Sequence, residues 1–219
     1  MSSRSSLSNL ISNNSEILKN VFLTLICQLF ITFITVYALR KYPEISEKLY
    51  SSVLYMIFFF LGLIALIILI LNYDIPIIYR FIFFCIFSIL FGLSLSRLNK
   101  VNNEVLMSSL LSTLGVFIVM FIFGVFSVYY NFNLSGLGSI LFFALTMLIV
   151  ANVIFLICGV SETTHKIYIY IGIVVFSLYI MFDTFIILKD KRKDFISGAL
   201  SYYLDVINLF IRFGSAQNN

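Results

Sequence analysis

The chain has few charged residues, no tryptophan, two prolines and one histidine among its 219 residues. Only 11% of its residues are charged, whereas soluble domains have about 25%. Its mean hydropathy is +1.07, so we expect an integral membrane protein. Because a membrane span needs about 20 mostly apolar residues, six or seven spans fill the chain and leave no room for a soluble domain.

Cysteine and histidine are too sparse for most metal and hydrolase sites. Cys27, Cys85 and Cys158 lie in apolar stretches without Cys-x-x-Cys spacing, so neither a disulfide framework nor a zinc site is predicted. His165 lies in a polar loop, away from any candidate nucleophile that it could activate. The net charge of +4 is spread over loop ends, which indicates contact with lipid headgroups and not with nucleic acid.

Turn-forming and charged residues divide the apolar sequence into six predicted spans after a polar, mobile arm at residues 1–15. The spans are about Glu16–Leu39, Leu49–Tyr73, Ile77–Ser96, Val105–Tyr130, Leu137–Gly159 and Ile167–Leu188. A seventh segment, Phe195–Phe213, spans the membrane or re-enters it before a polar tail at residues 214–219. The predicted fold is an all-α polytopic membrane protein with one helical domain, residues 16–213.

Two aspartates lie inside the last two apolar segments, Asp183 near the end of the sixth span and Asp205 near the middle of the final segment. A charged Asp at the centre of a span costs about 2.5–3.5 kcal/mol on insertion scales, so intramembrane carboxylates indicate a functional site. On a helix, the face of Asp205 also carries Gly198, Ser201, Tyr202, Asn208 and Arg212. Lipid offers this face no hydrogen bonds, so we predict a central helix packed inside the others.

The short connection Lys189–Asp194 lets the two segments pack antiparallel, which would bring Asp183 and Asp205 together. Two carboxylates in a low-dielectric site cannot both ionise at low cost, so they would share a proton and titrate as a pair. Such a pair can sense pH, bind a divalent cation or do acid–base work. Calcium prefers oxygen ligands, which Asp183, Asp205 and Asn208 could supply. A structural role also remains open, in which the carboxylates bond to hydroxyl groups and pin the helices.

Other classes of membrane protein use similar residues. Intramembrane aspartyl proteases also have two aspartates on neighbouring helices, but their second follows a G-x-G sequence, whereas Asp205 follows Tyr203-Leu204. We therefore expect no enzyme. An ion-coupled transporter often has internal repeats and broken helices, and neither is clear here.

The sequence from Phe182 to Phe210 resembles the signature of the transmembrane BAX inhibitor motif family. Members of that family have a D-T pair followed by an L-Y-L-D-x-x-N-L-F-type segment. In this chain, Phe182-Asp183-Thr184 resembles the first part of that pattern and Ala199–Phe210 (ALSYYLDVINLF) the second. Leu25–Leu29 (LICQL) is similar to the Golgi anti-apoptotic, or Lifeguard, branch with its viral members.

The resemblance implies a seven-helix bundle with the last helix central, in Golgi or endoplasmic reticulum membranes. It implies a pH-sensitive calcium leak that lowers store calcium and inhibits apoptosis, with calcium as the permeant or bound ion and no other cofactor. Membrane lipid and apoptosis-regulating membrane proteins are the other implied partners. The implied pH sensor and ion gate is Asp183 with Asp205, on a polar face shared with Thr184, Ser201, Tyr202 and Asn208. The alternatives are an anti-apoptotic protein that binds partners without conduction, and an ion-coupled transporter.

The sequence departs from the family pattern at two places. Relatives often carry an arginine in the second helix that latches onto the aspartates, but Leu49–Tyr73 has none. Many have a glutamate in the third helix. In this chain, the corresponding segment Phe81–Ser96 has no acidic residue, and its hydroxyl side chains are Ser88, Ser94 and Ser96. The latch of the closed state is therefore expected to differ or to be absent.

The basic cluster Lys189–Lys193 favours a cytosolic N-terminus.

Overall fold

A computed structural model describes residues 7–42, 44, 47–48, 57, 60–62, 64–65, 67–68, 74–95, 101–189 and 194–217. Within these ranges the chain forms helices and turns without a β-strand, which confirms the all-α prediction. The helices with described bounds are α1 (Leu7–Asn13), α2 (Ser15–Lys41), α3 (Ile77–Ser94), α4 (Asn103–Tyr129), α5 (Ser135–Cys158), α6 (Glu162–Lys189) and α7 (Phe195–Gln217). Most of the second predicted span, Leu49–Tyr73, lies outside the described residues.

Five of the described helices are long and apolar enough to cross a membrane: α2, α3, α4, α6 and the part of α5 from Ser135 to Phe155. They correspond to five of the six predicted spans, with bounds that differ by a few residues. The remaining predicted span, Leu49–Tyr73, is helical at those of its residues that the structure describes. The helix α7 is not among these five candidate spans.

The structure differs from the sequence prediction at two helix starts. Residues 7–13 of the predicted polar arm form α1, in which Leu7, Leu10 and Ile11 have helical spacing. The predicted polar loop Ser161–Lys166 is mostly the first turn of α6. There the Ser161 hydroxyl accepts the Thr164 amide N–H at 3.2 Å, and Glu162 pairs with Lys166 at 2.6 Å. A capping serine and an i,i+4 ion pair extend the helix beyond its apolar span.

The helix α2 shows how these sequences sort their side chains. Its exposed apolar residues are Leu23, Ile26, Phe30, Ile34 and Tyr37, whose spacing of three or four places them on one face. The buried residues include the polar Gln28 and Thr32. Polar groups inside and apolar groups outside is the arrangement that a hydrocarbon solvent favours, because lipid cannot satisfy hydrogen bonds.

The chain divides into two compact units. The first contains α4, α5, α6 and the part of α7 from Leu204 onward; we call it the α4–α6 unit. The second contains α2 from Ile17 onward, α3 and residues Asp194–Tyr203, and we call it the α2–α3 unit. The single helical domain predicted from the sequence stays a prediction.

A buried polar network holds the α2–α3 unit together. The hydroxyl of Thr32 lies 2.6 Å from that of Tyr203, and Ser88 donates to the Gln28 side-chain oxygen at 2.8 Å. All four residues are fully buried. The Tyr203 ring meets the rings of Phe84 and Phe87 edge-on, at 5.4 and 5.7 Å between centroids. The network therefore joins α2, α3 and the first part of α7 through hydrogen bonds that are shielded from water, because all of their side chains are buried.

A buried arginine positions the start of α7. Arg80 on α3 is 2% exposed, forms an ion pair with Asp194 and donates to the Ser197 hydroxyl at 3.0 Å. Asp194 in turn accepts the Ser197 amide N–H at 2.8 Å, which makes it the N-cap of α7. The same carboxylate thus neutralises a buried cation and caps a helix.

We predict that Arg80→Gln lowers the free energy of unfolding by about 3–5 kcal/mol, because Asp194 keeps its charge in a partly buried position after the counterion is lost. Thermal unfolding of the purified protein in detergent measures the effect. Lys166→Gln removes one partner of the exposed Glu162–Lys166 pair and should melt with the wild type. Equal melting of Arg80→Gln and Lys166→Gln would contradict a stabilising role for the buried pair.

In the α4–α6 unit, α6 packs against α4 and, over fewer residues, against α5. The side of α4 that is buried carries small or polar residues, Ser109, Thr113, Gly124, Val125 and Ser127. A Cβ at Gly124 would overlap the Thr184 side chain and lie 2.8 Å from the Met181 carbonyl oxygen. Glycine is therefore required for the close approach of α4 to the segment of α6 that carries Asp183 and Thr184.

We predict that Gly124→Ala destabilises the protein by about 1–3 kcal/mol, because the added methyl group must push α4 away from α6. Thermal unfolding in detergent is again the measurement. Gly115→Ala is the matched control, since Gly115 is on the same helix and a Cβ there meets nothing within 4 Å. If the two alanine variants melt at the same temperature, the contact between Gly124 and Thr184 is not tight.

Candidate functional site

Asp183 and Asp205 are both buried within the α4–α6 unit, with 8% and 4% of their surface exposed. Both carboxylates interact electrostatically with the phenol group of Tyr179, one turn before Asp183 on α6. Both carboxylates are therefore within electrostatic range of the same phenol, and we call them the acid pair. The assignment of this pair as pH sensor and ion gate stays a prediction at this point.

Helical periodicity explains why the acid pair forms. Five residues of α6, spaced three or four apart, share one face: Tyr168, Gly172, Phe176, Tyr179 and Asp183. On α7, Asp205, Asn208 and Arg212 follow the same rule. Arg212 contacts the first three residues of the α6 face, while Asp205 acts on Tyr179. The two faces consequently run antiparallel, and we call the interface between them the α6–α7 seam.

The seam has a basic end as well as an acidic one. The guanidinium carbon of Arg212 lies 4.8 Å from the centroid of the Tyr168 ring and 5.3 Å from that of Phe176. Arg212 donates weakly to the backbone carbonyl and the hydroxyl of Tyr168, at 3.3 and 3.4 Å. Seven residues separate Asp205 from Arg212, which is about 10 Å along a helix. The sequence placed Arg212 on the face of Asp205 but gave no sign of its aromatic contacts.

The four residues predicted to support the acid pair are divided between the two units. Thr184 and Asn208 belong to the α4–α6 unit, where they donate at 2.7 Å to the carbonyl groups of Ile180 and Leu204. Ser201 and Tyr202 belong to the α2–α3 unit. The Tyr202 ring stacks on Phe22, with 6.0 Å between centroids. Helical periodicity groups Ser201, Tyr202 and Asn208 on one face of α7 but cannot tell which neighbouring helix covers each turn.

The donor set of the acid pair fits a hard cation. Carboxylate and backbone carbonyl oxygens are ligands that calcium accepts, whereas zinc prefers nitrogen and sulfur. Among the described residues, no group of three or more His, Cys, Asp or Glu side chains could hold a metal ion. An ion at the pair would thus complete its coordination with carbonyl groups or water. Such partial protein ligation suits transient occupancy better than a permanent structural ion.

Protein comparisons agree over most of the chain. Residues 14–216 match the sequence model of the Bax1-I family, described as "Inhibitor of apoptosis-promoting Bax1". The chain is 33% identical to Bax inhibitor 1 of Schizosaccharomyces pombe over 210 residues, which cover 92% of this chain and 77% of that protein. It is 31% identical to Protein LIFEGUARD 3 of Arabidopsis thaliana over 111 residues, 50% of this chain and 45% of that protein.

A bacterial relative extends the similarity. Inner membrane protein YbhL of Escherichia coli K12 is 32% identical over 140 residues, 58% of each chain. The resemblance read from Phe182–Phe210 is confirmed by matches that extend far beyond that motif. Together with five helices apolar enough to cross a membrane, these matches show that the chain is an integral membrane protein of the Bax1-I family.

Proposed function

We propose that this chain is an anti-apoptotic protein of Golgi or endoplasmic reticulum membranes that acts as a pH-sensitive calcium leak, with its N-terminus in the cytosol. Membership of the family described as "Inhibitor of apoptosis-promoting Bax1" and similarity to Bax inhibitor 1 support the anti-apoptotic part. The observation that supports conduction is the burial of two carboxylates, Asp183 and Asp205, that both act electrostatically on Tyr179. The proposal needs no enzymatic step and no cofactor besides the permeant ion.

The acid pair suits this function because its charge depends on pH. Two carboxylates in a low-dielectric environment repel each other, so protons leave them in two steps that belong to the pair. Protons and calcium also compete for the same oxygen atoms, because a carboxylate must lose its proton to bind a metal ion. A change in pH therefore alters both the charge in the seam and its affinity for a divalent cation.

Burial strengthens the electrostatic coupling between the two carboxylates. A carboxylate in water would be screened, but these two are almost completely excluded from solvent in the described structure. A hydroxyl or amide at either position would bond equally well over the physiological pH range. A purely structural pin would thus not require titratable groups at both positions.

We predict that Asp183→Asn and Asp205→Asn each abolish the pH dependence of calcium flux. Asparagine has the size of a protonated aspartate and cannot ionise, so a coupled pair loses its shared titration when either member is replaced. The measurement is calcium flux from liposomes that contain the purified protein, between about pH 8 and pH 5, the range around neutrality in which a coupled carboxylate pair can titrate. Each variant should show at pH 8 the flux that the wild type shows at low pH.

Glu162→Gln is the matched control. Glu162 is an exposed carboxylate on the same helix as Asp183, and its replacement should leave the pH profile unchanged. A pH response that survives in both aspartate variants refutes the sensor. A folded wild-type protein without flux at any pH would refute the leak and favour the partner-binding alternative.

A further inference from the structure

The α6–α7 seam joins the acid pair to the end of α7. Along α7, exposure increases from Asp205, which is buried, through Asn208 and Arg212, which are half-buried, to Gln217, which is exposed. Along α6, Gly172 lies ten residues after Glu162, about 15 Å from the exposed start of that helix. The seam therefore offers a row of polar groups between the surroundings of the protein and the acid pair, and Arg212 is the cation on this row.

The position of Arg212 within the seam is unusually constrained. Its guanidinium occupies the space that a side chain at residue 172 would need, since a Cβ on Gly172 would overlap the guanidinium carbon and two of its nitrogens. Phe176 is buried on one side, and Tyr168 supplies both a ring and two hydrogen-bond acceptors on the other. The buried Nε atom has no hydrogen-bond partner among the residues that the structure describes. Arg212 also forms no ion pair with a described carboxylate.

An arginine held in this way is not explained as a structural ion pair. Even partial burial of a cation without a counterion is unfavourable, and stacking on the Tyr168 and Phe176 rings offsets only part of that penalty. The arrangement places the positive charge of Arg212 between α6 and α7, about 10 Å from Asp205 along α7. In a low-dielectric seam, this charge repels a divalent cation strongly over such distances.

We propose that Arg212 is a cationic plug that closes the α6–α7 seam to divalent cations approaching the acid pair from the side where α7 ends. The proposal rests on the function proposed above, in which a divalent cation reaches that pair. The proposed plug is a residue of α7. It is distinct from the family's latch arginine, since the second predicted span, Leu49–Tyr73, contains no arginine. Both the charge of the guanidinium and its fit against Gly172 are required.

The first test measures access to the seam without calcium. Asn208→Cys, one turn from Arg212 towards Asp205, is labelled in nanodiscs with a membrane-impermeant cationic methanethiosulfonate reagent and with an anionic reagent of similar size. The parent chain, with Cys27, Cys85 and Cys158, gives the background. Adding Arg212→Gln should raise the cationic labelling rate about tenfold, because a repulsive charge leaves the route, and should raise the anionic rate much less.

The second test measures calcium flux in proteoliposomes at the pH of lowest wild-type leak. Arg212→Gln should increase the flux about tenfold, and Arg212→Lys, which keeps the charge but loses the planar stacking, should increase it less. Gly172→Ala should act in the same direction as Arg212→Gln because its methyl group displaces the guanidinium. Gly115→Ala, where a Cβ meets nothing, is the matched control and should behave as wild type.

The outcomes separate the plug from the leak. Faster cationic labelling together with faster calcium flux in Arg212→Gln supports both the plug and the leak. Faster labelling with no calcium flux in any variant at any pH supports closure of the seam by Arg212 and overturns the proposed leak. A pH-dependent wild-type leak that stays unchanged, with unchanged labelling, in folded Arg212→Gln and Gly172→Ala overturns the plug and leaves the leak in place.

Discussion

A polar group inside a membrane must find its partner within the protein, because the hydrocarbon core supplies none. This constraint accounts for the buried contacts that organise the chain. In the α2–α3 unit, it selects the contact between Thr32 and Tyr203 and the ion pair between Arg80 and Asp194. In the α4–α6 unit, it keeps Asp183 and Asp205 buried, where both carboxylates act electrostatically on the Tyr179 phenol.

The two units meet the constraint with different chemistry. Hydroxyl and amide groups in the α2–α3 unit keep the same charge at every physiological pH, so their network can only hold helices together. The acid pair and Arg212 place charges of both signs along one seam. Charges in a low-dielectric medium act over longer distances than hydrogen bonds do. In the proposed function, a change of one proton on Asp183 or Asp205 would therefore change the electrostatic potential along the α6–α7 seam.

Much of this architecture follows from the sequence, because the spacing of charges and turn formers marks the ends of apolar helices. The sequence likewise indicates the face of α7 with Asp205 through helical periodicity, while the pairing of Asp205 with Asp183, inferred from the short connection between the segments, stays a prediction. Contacts between distant residues were not readable. Arg80 and Asp194 are 114 residues apart, and nothing local indicates their pairing. Gly172 likewise has a role only because Arg212 from another helix occupies the space of its missing side chain.

The central claim is that Asp183 and Asp205 titrate as one unit, and infrared titration of the protein in lipid tests it most directly. The carboxyl stretching bands would be followed from pH 4 to pH 9 in the wild type, in the two single asparagine variants and in the double asparagine variant, whose profile is subtracted from the other three. A coupled pair gives two separated steps in the wild type and, in each single variant, one step at lower pH than the upper wild-type step, so that the wild-type profile differs from the sum of the two single-variant profiles. A wild-type profile equal to that sum would show two independent carboxylates and contradict the account.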